Sequence, residues 1–170
     1  MLIRTLFTGG QTGRGGQWTW HGPGQLVLYP ILNLQNHTKS MKAYVCQLEE
    51  TLIEACRALG IEAERGESSG EIGIWVKGSK RKIGFIGIQN NRWITSHGIS
   101  LNVCNETHWF DHIVPCGIPN LQVTSVKDEL LPPFIGDCGL LVENAQMALL
   151  NAFSKVFQVD YTPCIVDDGL

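Results

Sequence analysis

Six cysteines, at positions 46, 56, 104, 116, 138 and 164, are the residues best equipped for covalent chemistry in this 170-residue chain. None pairs with another across the two-residue gap typical of zinc clusters, so no metal site is expected. Cys116 has the most constrained setting, in "HIVPCGIPN". Pro115 fixes one backbone torsion and Gly117 leaves the other flank without a side chain, so a thiol there would stand on a stiff turn, open to attack a carbonyl. Cys46 and Cys56 fall in a helical pattern and read as packing groups. Cys104 ends an expected strand, while Cys138 and Cys164 lie in weakly patterned segments. The set as a whole reads as reduced intracellular thiols. A thiol becomes a nucleophile only as its thiolate, which needs a base or a cation nearby. His21, His97, His108, His112 and a lysine are the candidates, and composition does not choose among them.

A second unusual stretch is "RGGQWTWHGPGQLVLYPILNL", from Arg14 to Leu34. It lacks the Lys-Ser/Thr end of a phosphate loop and no strand-to-helix context follows it. Its glycines are better suited to close backbone approach to a ligand, or to a positive φ. If extended, Trp18 and Trp20 share one face while Thr19 and His21 share the other. The tryptophans are then candidate walls of a tunnel for an apolar chain, or simply core. "KGSKRK", Lys77 to Lys82, sits where a hairpin turn is expected and reads as a solvated turn.

The elements that must hold these groups follow from periodicity. "LVLYPILNL" suggests a buried strand over 26–34, with Pro30 at a bulge or edge. Met41, Val45, Leu48, Leu52, Ala55 and Leu59 form one apolar helical stripe, which Thr38 or Ser40 could cap and Gly60 end. "IGIWV", "KGSK" and "KIGFIGI" read as a β-hairpin, and "WITSHGISLNV" as a strand pair or a strand bulged at Gly98. A second helix is expected over 142–157. Strands and helices are mixed without strict alternation, which favours an α/β or α+β fold with a mixed sheet and flanking helices.

Net charge is −3 and no Lys/Arg stripe appears, so neither nucleic acid nor an anionic surface is an expected partner. No apolar run approaches the roughly 20 residues of a membrane span, and no secretory or transit sequence is visible at the start.

"RGGQWTWHGPGQLVLYPILNL", "RKIGFIGI", "RWITSHGISLNV" and "WFDHIVPCGI" occur in the order and spacing of the octanoyltransferases of lipoate biosynthesis, also called lipoyl(octanoyl) transferases or lipoate–protein ligases B. The chain resembles that family from about Arg14 to Ser125. The resemblance implies a fold similar to the catalytic module of biotin and lipoate ligases, in a single domain over 1–170. It implies transfer of an octanoyl group from acyl carrier protein to a lysine of a lipoyl domain, in 2-oxoacid dehydrogenases or the glycine-cleavage H protein, without cofactor or metal. It assigns Cys116 as the thioester-forming nucleophile and Lys82 as its activating lysine. Acyl binding carries over to Arg14, Gly15, Gly16, Gln17, Trp18, Thr19, Trp20 and His21, to Phe85, Ile86 and Gly87, and to Gly98, Ile99 and Ser100. The roles fit the chemistry: a free thiol titrates near ~8.5 and an adjacent ammonium favours its thiolate. On this reading Gly84, Gly87 and Gly98 keep the reacting end uncrowded, and backbone N–H groups at Cys116 and Gly117 are candidates for the oxyanion.

Two departures stand out. Only thirteen residues precede Arg14, where the family has a strand and helix, so a chain lacking those elements is expected. Phe85 and Ser100 stand where small residues are common, which implies an altered acyl-length preference. A non-catalytic relative that binds acyl chains or lipoyl domains is the alternative. An ATP-dependent ligase is disfavoured, because such enzymes use a lysine without the cysteine. Motif spelling is closer to eukaryotic members, which implies a mitochondrial setting, otherwise a cytoplasmic one.

Overall fold

The computed structural model describes residues 19–37, 39–67, 71–118, 121–131 and 133–162, with the backbone alone at Cys116. In chain order the main elements are β1 (Gln25–Leu28), α1 (Met41–Ala58), β2 (Ala63–Arg65), β3 (Ile74–Val76), β4 (Arg81–Asn91), β5 (Ile94–Asn102), β6 (Gln122–Val123), α2 (Val126–Glu129) and α3 (Cys138–Phe157). The strands form one mixed sheet in the order β1-β5-β4-β3-β2, all antiparallel, and β6 adds to β4 in parallel.

The helical stripe does what its spacing requires. Ser40 caps α1, its hydroxyl accepting from the Ala43 N–H at 3.2 Å. Leu48, Leu52 and Ile53 of α1, with Ala145 and Leu149 of α3, are buried against Ile74, Ile83, Ile99 and Leu101 of the sheet. This two-layer packing leaves the other sheet face for the site. α3 begins four residues before the expected 142, because the Asp137 carboxylate accepts from the Gly139 N–H at 2.6 Å and caps the helix there.

The apolar run 26–34 is a strand only to Leu28, and Pro30 lies beyond its end, where the missing N–H costs no ladder bond. β5 is a single strand with no bulge at Gly98, which pairs regularly with Gly87. The β4–β5 hairpin closes through Arg92 and Trp93, at φ 51° and 69°, a two-residue turn without the usual glycine. The Trp93 carbonyl accepts from Leu34 N at 2.8 Å and helps hold it.

The expectation of reduced thiols fails at one pair. Cys104, just past β5, and Cys138, at the start of α3, form a disulfide with their Cα atoms 5.8 Å apart. Cys46 and Cys56 are free, the former exposed and the latter buried. Sequence spacing could not pair residues 34 positions apart. Only the return of the chain across the helix layer does so.

Candidate active site

The site begins with an irregularity in β4. Ile74 of β3 faces Gly84, yet the next residue, Trp75, faces Lys82, so Ile83 is an extra residue and the strand is bulged. Gly84 turns toward the helices, since a Cβ there would meet Ile74 and Leu52 side chains. Without the bulge, alternation would put Lys82 on the same face as Gly84 and opposite Phe85. With it, Lys82 and Phe85 share the face away from the helices, a known use of bulges. The solvated-turn reading of "KGSKRK" is therefore corrected at its last residue, for Lys82 is fully buried while Lys77 is exposed and pairs with Glu62.

A buried ammonium is costly unless it is met by polar or π partners. Lys82 Nζ donates to the Ile72 carbonyl at 2.7 Å. It lies 4.4 Å from the centroid of the Trp75 ring and 5.1 Å from that of Phe85. Phe85 in turn stacks on Phe110 at 5.1 Å, and Trp20 meets Phe110 edge-on at 5.6 Å.

The segment carrying Cys116 is pinned on both sides of that residue. Phe110, before it, packs on Phe85. Ile118, after it, lines a cavity of about 280 Å³ together with Trp75. Further on, β6 runs beside β4 with Val123 opposite Lys82, and Thr124 N donates to the Lys82 carbonyl at 3.0 Å. Of the two rings at the ammonium, Phe85 thus packs on the segment before Cys116, and Trp75 faces the same cavity as Ile118 after it. Cys116 itself lies in a one-turn helix, Pro115–Gly117, with the proline at its start and Gly117 at φ 70°. The Gly117 N–H donates to the Val114 carbonyl at 3.2 Å, so this expected oxyanion donor serves the turn instead.

On the open sheet face, a small cavity of about 30 Å³ is lined by Thr19, His21, Phe85, Ile86, Gly87, Gly98, Ile99 and Ser100. These are eight of the residues that the resemblance assigned to acyl binding. Trp20 instead packs against Phe110, so in this segment the polar pair, not the tryptophan, faces the cavity. Arg14, Gly15, Gly16, Gln17 and Trp18 lie outside the described residues. Gly98 does not serve to clear the reacting end, for a Cβ there would run into the Leu28 carbonyl and Pro30. Its role is to let the end of β1 approach, and Gly84 is small for the helices' sake.

Tyr29 and His97 also line the cavity, and sequence reasoning missed Tyr29, Trp75 and Phe110 as site residues. Aromatic residues in "LVLYP", "IGIWV" and "HWFDH" were the available signal, but all three also suit ordinary cores. His97 adopts φ 58° within β5, and backbone strain of this kind concentrates at functional sites. It meets Tyr29 edge-on at 5.4 Å, and His21 Nδ1 lies 2.6 Å from Gln25 Oε1. His108 and His112 are exposed, with His108 3.6 Å from Glu106. Burial pushes the Cys56 thiol up to about 12, which removes it as a nucleophile at neutral pH. Among the described residues no group of His, Cys, Asp and Glu is arranged to hold a metal ion, and no helix is long and apolar enough to cross a membrane.

The sequence profile of the lipoyl protein ligase A/B catalytic domain matches residues 10–154. The chain is 46% identical over 155 residues to the mitochondrial octanoyl-[acyl-carrier-protein]:protein N-octanoyltransferase of Danio rerio, covering 89% of this chain and 63% of that protein. Its fold is similar to a crystal structure of lipoate-protein ligase A bound with ATP, with a TM-score of 0.66 at 16% identity, covering 92% of this chain and 61% of the other. The biotin protein ligase of Aquifex aeolicus is also similar, with a TM-score of 0.57 at 14% identity, covering 79% and 53%.

Proposed function

Because the chain belongs to the lipoyl protein ligase A/B catalytic-domain family, we propose that it transfers an octanoyl group from acyl carrier protein to a lysine of a lipoyl domain through a thioester on Cys116. The carrying observation is the fully buried Lys82 ammonium against the rings of Trp75 and Phe85, the second of which also lines the cavity that holds the expected acyl-binding residues.

In the first half-reaction the Cys116 thiolate attacks the donor thioester carbon, and the carrier thiolate leaves and takes a proton. One thioester replaces another, so the step is nearly balanced. On this reading Lys82 supplies the positive charge that favours the thiolate and is the group that exchanges that proton. In the second half-reaction an acceptor lysine amine attacks the same carbonyl, an amide forms, the Cys116 thiolate departs, and the surplus amine proton passes to solvent or Lys82. Amide formation drives the sequence forward, and neither step consumes ATP.

The cavity as described has room for about one water molecule. An eight-carbon chain needs considerably more, so loading requires the cleft to widen, with the half-exposed Tyr29, packed on His97, at its rim. Similarity to a mitochondrial relative supports a mitochondrial setting if the source is eukaryotic, and a cytoplasmic one otherwise.

The test is intact-protein mass spectrometry after mixing with octanoyl-carrier protein. The wild type gains one octanoyl mass, Cys116→Ala gains none, and Lys82→Ala loads at least a hundredfold more slowly while melting near the wild-type temperature. Tight binding of the donor with no covalent adduct on the wild type would instead support the non-catalytic relative.

A further inference from the structure

We propose that Glu49 is a positioning residue for Lys82, acting through the peptide group that joins Ile72 to Gly73. The proposal rests on the reading of Lys82 as the activating lysine and adds the device that aims it.

Glu49 belongs to α1 and is 7% exposed, on a helix face otherwise given to the core. A buried carboxylate is tolerated only when its oxygens are met. One oxygen, Oε1, accepts from the Gly73 N–H at 3.3 Å. The other, Oε2, lies 3.2 Å from Arg65 Nε. Arg65 is itself fixed by Glu50 at 2.6 Å and by the Cys46 carbonyl at 3.3 Å. The carboxylate is thus clamped from outside and aimed inward at one backbone N–H.

That N–H and the carbonyl that receives Lys82 are two ends of one peptide unit. The Ile72 carbonyl accepts from Lys82 Nζ at 2.7 Å, and the N–H of the same bond faces Glu49. A peptide unit is planar and rigid, so fixing its N–H end fixes the direction of its carbonyl. An anion at the N–H end also polarises the amide and makes the carbonyl a stronger acceptor for an ammonium. The backbone at Gly73 permits this arrangement: its φ is 124°, and a Cβ would stand 2.8 Å from Lys82 Cε and 3.1 Å from Nζ. The relay runs Arg65, Glu49, peptide 72–73, Lys82, and carries the position of a surface cation to the buried one.

Four variants test it: Glu49→Ala, Glu49→Gln, Lys82→Ala, and Glu54→Ala as a control on the same helix, whose carboxylate pairs with Lys155 away from the site. Charged groups nearby, among them Arg65, Glu50 and Arg81 and the Glu64, Glu67, Glu71 and Lys80 that line the cavity beside Trp75, stay in every variant. Two readouts are followed: the single-turnover rate of octanoyl loading, and the pH profile of Cys116 alkylation by iodoacetamide, resolved on its own peptide. Glu49→Ala should slow loading roughly tenfold to a hundredfold, as small misplacements of catalytic groups do. It should also move the alkylation midpoint upward toward that of Lys82→Ala, because a mis-aimed ammonium favours the thiolate less. Glu49→Gln keeps an acceptor for Gly73 and should recover most of the rate. Glu54→Ala should load normally. If Glu49→Ala does not fold, Glu49→Asp, one methylene too short to reach Gly73, takes its place with the same expected loss. A wild-type alkylation profile in the Glu49 variants, while Lys82→Ala shifts it, overturns the relay alone. An unshifted profile and unslowed loading in Lys82→Ala itself overturns the reading of the lysine and the relay together.

Discussion

Phe85 carries two duties at one position. Its ring is 4% exposed, stacks on Phe110, lines the small cavity and lies 5.1 Å from Lys82 Nζ. A ring is a stiff wall, so the length of acyl chain that fits depends on where it stops. Replacing it with alanine opens the cavity toward Phe110. Phe85→Ala is therefore expected to load longer acyl chains in preference to octanoyl, measured by competition between carrier proteins of different chain length. It should also cost about 3 kcal/mol of stability, read from denaturant unfolding. An unchanged preference in a folded variant would remove Phe85 from the specificity of the site. The same scale removes three of the six cysteines as nucleophiles: Cys56 is sealed among apolar residues, and Cys104 and Cys138 are consumed by each other. Position 116 keeps a turn of its own.

At the scale of elements, β4 organises the site, and its start is anchored to α2. Arg81 grips the Glu129 carboxylate with two bonds of 2.7 and 2.9 Å, and the Thr124 hydroxyl donates to the same group at 2.6 Å. The Arg81 guanidinium, first, and then Thr124 hold the Glu129 carboxyl below its ordinary range, against the opposing effect of burial. A depressed folded value means that the stabilisation is present above the unfolded value, ~4.3, and is lost as pH falls through the lower folded one. Arg81 is half exposed, so solvent screening limits the gain to about 1 kcal/mol. Glu129→Gln should accordingly melt below wild type at pH 7, and the difference should close as the pH is taken below about 4. A gap that persists in acid would show that the pair matters by packing, not charge. Because β6 and α2 follow the Cys116 segment directly, this anchor also fixes where that segment re-joins the sheet.

For the molecule as a whole, the Cys104–Cys138 bridge ties the end of the sheet to the start of α3 and closes a 34-residue span that contains Cys116. A bridge of that span restricts the unfolded chain and is worth about 3–4 kcal/mol on the loop-entropy account. Cys138→Ser should lose that amount in non-reducing urea unfolding, and adding a reductant should bring the wild type down to the variant. Equal stability of the two without reductant would mean that the bridge does not form in solution. The layered arrangement also accounts for the open sheet face. α1 and α3 cover one side only, so Tyr29, at the end of edge strand β1, stays half exposed beside the cavity.

The capped α1 stripe, the hairpin of β3 and β4, and the setting of Cys116 were legible in the chain, because helix periodicity, turn spacing and the Pro-Cys-Gly flanks are local properties. Four spaced motifs also carried the family and eight residues that line the cavity. What the chain did not reveal is non-local. A single extra residue in β4 moved Lys82 from the helix-packed face to the face of the site, since a one-residue slip exchanges the faces of a strand. The pairing of Cys104 with Cys138, the ring column through Phe110, and the meeting of Glu49 with Gly73 each join residues distant in sequence. Tertiary packing alone decided these contacts, because short-range pattern records which face a residue prefers and not what it will find there.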